Sequence, residues 1–190
     1  MRLVSAAVCL LLIPPVVRSN DPDAEAVEAL ERFGGRVKRD SGGLVTHVTL
    51  PGPQVPADGL KHLAALTGLT SLDVWAPAGV TDDGLRHLAS LTKLTALELA
   101  SPKMTEAGLR HLAPLTGLRT LRISCSDLTD DWLKHLAPLS NLTTLALSGT
   151  KVTDDGLRHL APLTRLTSLS IGYTGVTGDG LRHLAPLAEL

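Results

Sequence analysis

The sequence is poor in aromatic residues, nearly neutral, and without a long hydrophobic run. With one Phe, one Tyr and two Trp among 190 residues, leucine, valine and alanine must fill any core. A formal net charge of −1 gives no general reason to expect nucleic acid or an anionic membrane as partner. No segment approaches the roughly 18 apolar residues of a transmembrane helix, so no membrane span is predicted.

The first 19 residues have the pattern of a secretory signal peptide. Arg2 is the positive residue, residues 3–13 form an apolar stretch of suitable length, and residues 17–19 offer a cleavage site before Asn20. This pattern predicts a secreted or periplasmic protein. A ragged hydrophobic N-terminus of a cytoplasmic protein is the alternative, because two prolines and an arginine weaken the pattern. Only Cys125 would remain after cleavage, so no disulfide framework is expected.

One short stretch recurs through the chain at a fixed interval. The recurring glycine, or the residue in its place, is found at Gly59, Gly84, Gly108, Trp132, Gly156 and Gly180. These positions are 25 residues apart once and 24 residues apart four times. A fixed period in this range is typical of a solenoid, in which each unit buries its apolar face against its neighbours.

Each unit combines a short strand with a short helix. In 142–147, Leu145 and Leu147 alternate with the small Ala146, as in a strand with one buried face. Thr153 is a good helix N-cap, and Asp154 follows it where the helix dipole favours a carboxylate. Pro162 disfavours helical geometry in the residue before it, which ends the helix. The residues that should be buried in this unit are Leu145, Leu147, Val152, Leu157, Leu160 and Leu163.

The unit resembles a leucine-rich repeat. Residues 142–152 follow the pattern L-x-x-L-x-L-x-x-N/C-x-L, with Thr150 at the asparagine or cysteine position, so the usual asparagine ladder is absent. The continuation Thr-Asp-x-Gly-Leu-x-x-Leu is similar to arrays of bacterial secreted proteins and to the related arrays of F-box substrate receptors. The resemblance implies a right-handed α/β solenoid, with six parallel inner strands and short outer helices. It also implies that the concave inner face of the sheet is the contact surface.

The pattern divides the chain into a signal peptide at 1–19, a cap helix and connector at 20–44, and a repeat array at 45–190. Residues 23–33 place their apolar side chains on one helix face, as an end cap of a solenoid requires. Strands are predicted at 45–50, 69–74, 94–99, 118–123, 142–147 and 166–171. The array has no cap at its C-terminal end, so we expect either a longer array or self-association through that end.

The inner face is where we expect a protein partner to bind. Asp73, Glu98 and Arg122 should form one row on adjacent strands, where Glu98 and Arg122 could make an ordinary cross-strand ion pair. Trp75 and Tyr173 are the aromatic residues of this face, and aromatic and arginine side chains dominate binding hot spots. The predicted partner-binding residues are therefore Asp73, Trp75, Glu98, Arg122 and Tyr173.

A histidine recurs in every helix, at His62, His87, His111, His135, His159 and His183. Parallel side chains on helices about 8–10 Å apart do not converge on a metal, so no metal site is predicted. Pairs with the acid four residues earlier are the expected role. These pairs are Asp83–His87, Asp131–His135, Asp155–His159 and Asp179–His183.

The sequence thus favours a non-enzymatic scaffold for protein–protein interaction, without a cofactor. An F-box-type substrate receptor of a ubiquitin ligase is the alternative, but residues 1–44 do not supply the helical F-box that it needs. An enzyme using His47, Asp73 and Glu98 is a weaker alternative, since an open sheet face offers no pocket that excludes water.

Overall fold

The computed structural model describes residues 23–53, 55–56, 58–75 and 80–190, where the chain forms an α/β solenoid around one seven-stranded sheet. The strands are β1 (Arg36–Arg39), β2 (Val45–Pro51), β3 (Ser71–Trp75), β4 (Ala96–Ala100), β5 (Thr120–Ser124), β6 (Thr144–Ala146) and β7 (Ser168–Ser170). They lie side by side in chain order, and β2 to β7 are parallel. The six predicted parallel strands are confirmed, although five of them begin two residues later than predicted. The predicted signal peptide lies outside the described residues.

After each of the six repeat strands, β2 to β7, the chain turns and forms one helical segment. The α-helices are α1 (Ala24–Arg32), before the sheet, and the short α2 (Asp82–Leu85), α3 (Glu106–Arg110) and α4 (Asp130–Leu133). The 3₁₀ helices are Gly59–Ala65, Arg86–Ser90, Lys134–Leu136, Asp154–Leu160 and Gly178–Leu184. Leucines three residues apart stay on one face of a 3₁₀ turn, so a 3₁₀ segment presents the same apolar face to the core as an α-helix would.

The core is a column of leucines between the strands and these helices. All six residues predicted to be buried in the unit at 142–163 are completely buried. Equivalent leucines from the units before it, such as Leu97, Leu121 and Leu133, are 1% exposed or less. The polar residues between them in the strands face the other way, because successive side chains of a strand alternate between its two faces.

The N-terminal edge of the sheet is an antiparallel hairpin that the sequence analysis did not find. The segment assigned to a connector forms β1, which pairs with β2 so that Arg36 lies opposite Thr49 and Lys38 lies opposite His47. Asp40 closes the turn, since its Oδ1 accepts a bond of 2.9 Å from the amide of Gly42.

A ladder of threonine hydroxyls runs between the repeats just before the strands. Thr70 donates to the carbonyl of Thr46 over 3.0 Å, and Thr95 donates to the carbonyl of Thr70 over 3.1 Å. Thr143 and Thr167 do the same one repeat apart, each over 3.1 Å. Each of these carbonyls also accepts a backbone amide of the next repeat, so the hydroxyls add second bonds at the same junctions.

A second set of bonds joins the helix starts of consecutive repeats, and we call each one an aspartate rung. In the rung of Asp130, Oδ1 accepts from the amide of Thr153 over 2.7 Å and Oδ2 accepts from its hydroxyl over 2.6 Å. Thr153 makes no cap bond to its own helix, contrary to the prediction. In the equivalent positions, Thr105 and Thr177 donate to the previous repeat and also accept from an amide of their own helix. A Cβ on Gly156 would overlap the carboxylate of Asp130, so the rung requires glycine there. The three rungs are Asp82/Thr105/Gly108, Asp130/Thr153/Gly156 and Asp154/Thr177/Gly180.

Candidate functional site

The inner face is the surface of the sheet that points away from the helices, and its central row is continuous across six strands. The register places Thr49 beside Asp73, Asp73 beside Glu98, and Glu98 beside Arg122. Ala146 and Ser170 continue the row on β6 and β7. Because directly paired residues of neighbouring strands share a face, the predicted row of Asp73, Glu98 and Arg122 does assemble.

The charges of this row are not paired with one another. Asp73 and Glu98 are half-buried and Arg122 is exposed. Among the described residues, no ion pair within 4.0 Å and no side-chain hydrogen bond involves any of the three. The cross-strand ion pair expected between Glu98 and Arg122 is therefore not formed. Adjacent carboxylates on paired strands repel each other, so this arrangement is not explained by the stability of the sheet.

Trp75 ends β3 on the same face and borders a shallow depression. Its side chain is 48% exposed, and its register neighbours are Pro51 and Ala100. The depression begins at Ala100 and has an open volume of about 340 Å³. Its lining is small, consisting of Ala100, Ser101, Pro102, Ser124, Cys125, Ser126, Ser148 and Gly149. Small residues beside a large exposed aromatic leave room for an incoming backbone.

Tyr173 is the most exposed large hydrophobic side chain among the described residues, at 97%. Its φ of 57° is left-handed, a conformation that costs a non-glycine residue about 1–3 kcal/mol. The equivalent residue one repeat earlier is Gly149, with a φ of 74°, which adopts that conformation without strain. A strained and fully exposed tyrosine contributes little to the fold, so its value to the protein must lie elsewhere.

Two basic residues of this face were missed by the sequence reasoning. Arg36 and Lys38 of β1 are exposed and extend the rows of Thr49 and His47, so the N-terminal edge of the inner face is positive. The available clue was the alternation of Arg36, Val37 and Lys38, followed by an Asp-Ser-Gly-Gly turn and then β2, which is the signature of a hairpin.

The C-terminal half of the inner face has no charge. Its rows end in alanine and hydroxyl residues, and Ser148 and Ser170 bond to each other through their hydroxyls over 2.9 Å. The functional chemistry of this face is therefore concentrated on β1 to β5.

The three residues of the weaker enzyme alternative do not converge. His47 pairs with Ser71 in one row, whereas Asp73 and Glu98 belong to the row of Thr49. The ring of His47 is hydrogen-bonded to the neighbouring residue, since its Nδ1 lies 2.9 Å from the hydroxyl of Thr46. Cys125 is not an available nucleophile, because burial raises the pKa of its thiol.

The recurring histidines do not form the predicted pairs. In the described chain none of the four aspartate–histidine pairs comes within bonding distance, and Asp83 lies instead 3.5 Å from Arg86. His135 bonds to Glu106 of the preceding repeat, over 2.8 Å. Within the described residues, no group of three His, Cys, Asp or Glu side chains could hold a metal.

The carboxyl groups with a lowered pKa lie on the helical side, in contacts within and between repeats. Glu106 stands where a rung has aspartate, and its carboxylate contacts His135, Lys134 and Arg110 at 2.8 to 3.2 Å, which lowers its pKa to about 2. The amide and hydroxyl of Thr177 lower the pKa of Asp154. These shifts come from structural contacts, so they do not mark a catalytic centre.

Comparison with known proteins supports the repeat fold. A family model described as "Leucine Rich repeat" matches residues 139–161. Among curated proteins none matches the sequence. No helix in the described part of the chain is both long and apolar enough to cross a membrane.

Three solved structures illustrate the likeness. An internalin (inlF) of Listeria monocytogenes is 28% identical over 68% of this chain and 36% of its own, with a TM-score of 0.56. Internalin C2 of the same organism is 28% identical over 73% of this chain and 56% of its own, with a TM-score of 0.57. The Arabidopsis receptor kinase HAESA, solved with the peptide hormone IDA and the co-receptor SERK1, is 18% identical over 90% of this chain and 32% of its own, with a TM-score of 0.63. The last likeness is one of fold alone, and the chain spans only about a third to a little over half of these proteins.

Proposed function

Since the chain is a leucine-rich-repeat solenoid, we propose that it is a non-enzymatic scaffold whose inner face binds a protein partner. The observation that carries this proposal is the row of Asp73, Glu98 and Arg122, which holds three charges unpaired on an open sheet. Trp75 is exposed beside the row at the end of β3, and Tyr173 is exposed in the turn after β7. Such aromatic residues supply most of the energy of protein interfaces.

The test is capture of partners from an extract of the organism that encodes the chain. We expect the double variant Trp75→Ala, Arg122→Ala to lose its captured partners while it keeps the circular dichroism of the parent. Arg158→Ala is the matched control, because Arg158 is exposed on the helical side and makes no side-chain bond in the described structure. Equal capture by the parent and the double variant would remove the inner face from consideration.

Tyr173 gives an independent test of the same face. Tyr173→Asn should stabilise the fold by up to about 1 kcal/mol, because asparagine tolerates the left-handed conformation. The same variant should bind the captured partner more weakly. Thermal unfolding and capture on one sample measure both effects, and a variant that is more stable with undiminished capture would take Tyr173 out of the interface.

We propose further that the protein is secreted or periplasmic. The pattern of residues 1–19 and the likeness to internalins support this location. Mass spectrometry of the mature N-terminus tests it, with Asn20 as the expected first residue. A purified protein that retains its first 19 residues would contradict the proposal.

We also propose that two copies of the chain associate through the last repeat, as a contact secondary to the inner face. Leu181 and Leu190 are 52% and 47% exposed, whereas Leu157 and Leu133, which match Leu181 in earlier repeats, are fully buried. Light scattering at increasing concentration tests this contact, and a monomer whose 178–184 amides are as protected from exchange as those of 109–113 would refute it.

The F-box-type alternative has no observation in its favour. Between residues 23 and 44 the described chain contains α1, of nine residues, and β1, and these do not make a helical domain.

A further inference from the structure

The inner face carries its charges in a fixed order. Reading across the strands from the N-terminal edge, the central row runs from Arg36 through Thr49 to the acidic pair Asp73 and Glu98, and then to Arg122. The next two residues of the row, Ala146 on β6 and Ser170 on β7, are uncharged. A partner that complements the centre of this row must therefore present a positive group and then a negative group in the same order.

The spacing of the strands converts this order into a distance. Neighbouring strands lie about 4.8 Å apart, so a cation held between Asp73 and Glu98 lies about 7 Å, one and a half strand spacings, from the strand of Arg122. In an extended peptide, side chains at positions i and i+2 point to the same side and lie about 6.8 Å apart. A peptide that crosses the strands can therefore place residue i between the two carboxylates and residue i+2 at Arg122.

We propose that the inner face binds an extended segment of its protein partner that carries one basic and one acidic residue two positions apart. The basic residue lies between Asp73 and Glu98, and the acidic residue accepts a forked pair of hydrogen bonds from the guanidinium of Arg122. This inference rests on the proposed function and names the chemistry of the partner. The proposal covers both basic-x-acidic and acidic-x-basic segments, because the order of charges on the inner face does not fix which terminus of the peptide lies at β3.

Two neighbours of the row favour this occupant. Trp75 stands two residues after Asp73 on the same strand and face, so a basic side chain at Asp73 is also within reach of an exposed indole ring. Beyond the row, the small side chains of Ala100 and Ser124 give the peptide backbone a shallow floor.

Fluorescence anisotropy with the full 190-residue chain tests this inference on three labelled ten-residue peptides of equal composition. Two of them carry Lys-Thr-Glu or Glu-Thr-Lys at the centre, and the control carries Lys-Glu-Thr, whose charges are adjacent and point to opposite sides of an extended chain. We expect one of the first two peptides to bind at least tenfold more tightly than the control, with a preference that shrinks as salt is added.

Substitutions test which charged residue of the inner face recognises which charge of the peptide. Asp73→Asn with Glu98→Gln should abolish the preference, and Arg122→Glu should transfer it to a peptide with Lys-Thr-Lys at its centre. Arg158→Glu on the helical side should leave it unchanged. Affinities within twofold for all peptides, or no binding by any of them at millimolar concentration, would overturn the basic-x-acidic inference. The capture experiment with Trp75→Ala, Arg122→Ala would still decide the proposed function, because it uses intact partners of any shape.

Discussion

Three aspartate rungs of the described residues, compared with the position of Glu106, where the rung is replaced, show how a repeat tolerates change. In a rung, the carboxylate of one repeat accepts two bonds from the threonine of the next and occupies the space above its glycine. At the replaced position Glu106 makes no bond to Thr129, and Trp132 stands where the glycine would be. The longer carboxylate turns instead to Arg110, Lys134 and His135. The difference teaches that the aspartate and the glycine one repeat later are coupled, since the glycine is required where the aspartate lies above it and a large side chain fits where it does not.

Among the tests of this comparison, Trp132→Gly should have the largest effect on stability. Trp132 is half-buried against the core, so its removal should cost about 3 kcal/mol, the lower end of the range for a buried tryptophan. Denaturant unfolding measures the loss.

Adding Glu106→Asp should recover about 1 kcal/mol of this loss, because the shorter acid can then bond to Thr129 as Asp130 bonds to Thr153. If the two substitutions were simply additive, the acid and the glycine would not be coupled.

Gly156→Ala breaks a rung from the other side. Its Cβ would overlap the carboxylate of Asp130, which should cost about 1–3 kcal/mol as overpacking does. Gly178→Ala is the control, since a Cβ there meets nothing within 4 Å. Asp130→Ala combined with Gly156→Ala should cost less than the sum of the single substitutions, and a full sum in thermal unfolding would contradict the coupling.

The smallest effect concerns pH. Contacts with His135, Lys134 and Arg110 lower the pKa of Glu106 from 4.5 to about 2 in the folded chain. A lowered folded pKa stabilises the fold above the unfolded value and loses its effect as pH falls through the folded value. The difference in melting temperature between the parent and Glu106→Gln should therefore be largest at neutral pH and should close between pH 4.5 and about 2. A difference that stays constant over that range would remove the ionised carboxylate as its cause.

The fold and the register of the inner face could be predicted because both depend on periodicity. The spacing of leucines fixes which side of each strand is buried, and this in turn places Asp73, Glu98 and Arg122 in one row. Side-chain partners could not be predicted in the same way. Glu98 and Arg122 are neighbours in register but do not pair, because the register determines which backbone positions are adjacent and leaves the rotamer of a long exposed side chain open.

Contacts between repeats were the part that sequence reasoning misplaced. Thr153 and Asp154 have the residue types of a helix start, and local rules therefore assigned their bonds to their own helix. In the structure Thr153 bonds backwards to Asp130 and Asp154 bonds forwards to Thr177. The hairpin of β1 was not predicted, because its strand lies outside the repeat pattern that predicts the other strands.

The threonine ladder has a mechanical consequence. Each hydroxyl bond, like the strand pairing beside it, joins a repeat only to its neighbour, so a force applied along the array acts on a series of similar junctions. We expect the array to lengthen in steps when it is pulled from its two termini, each step releasing one repeat of 24 residues or about 80 Å of extended chain. A protein built in this way yields gradually under load and can regain its length one repeat at a time.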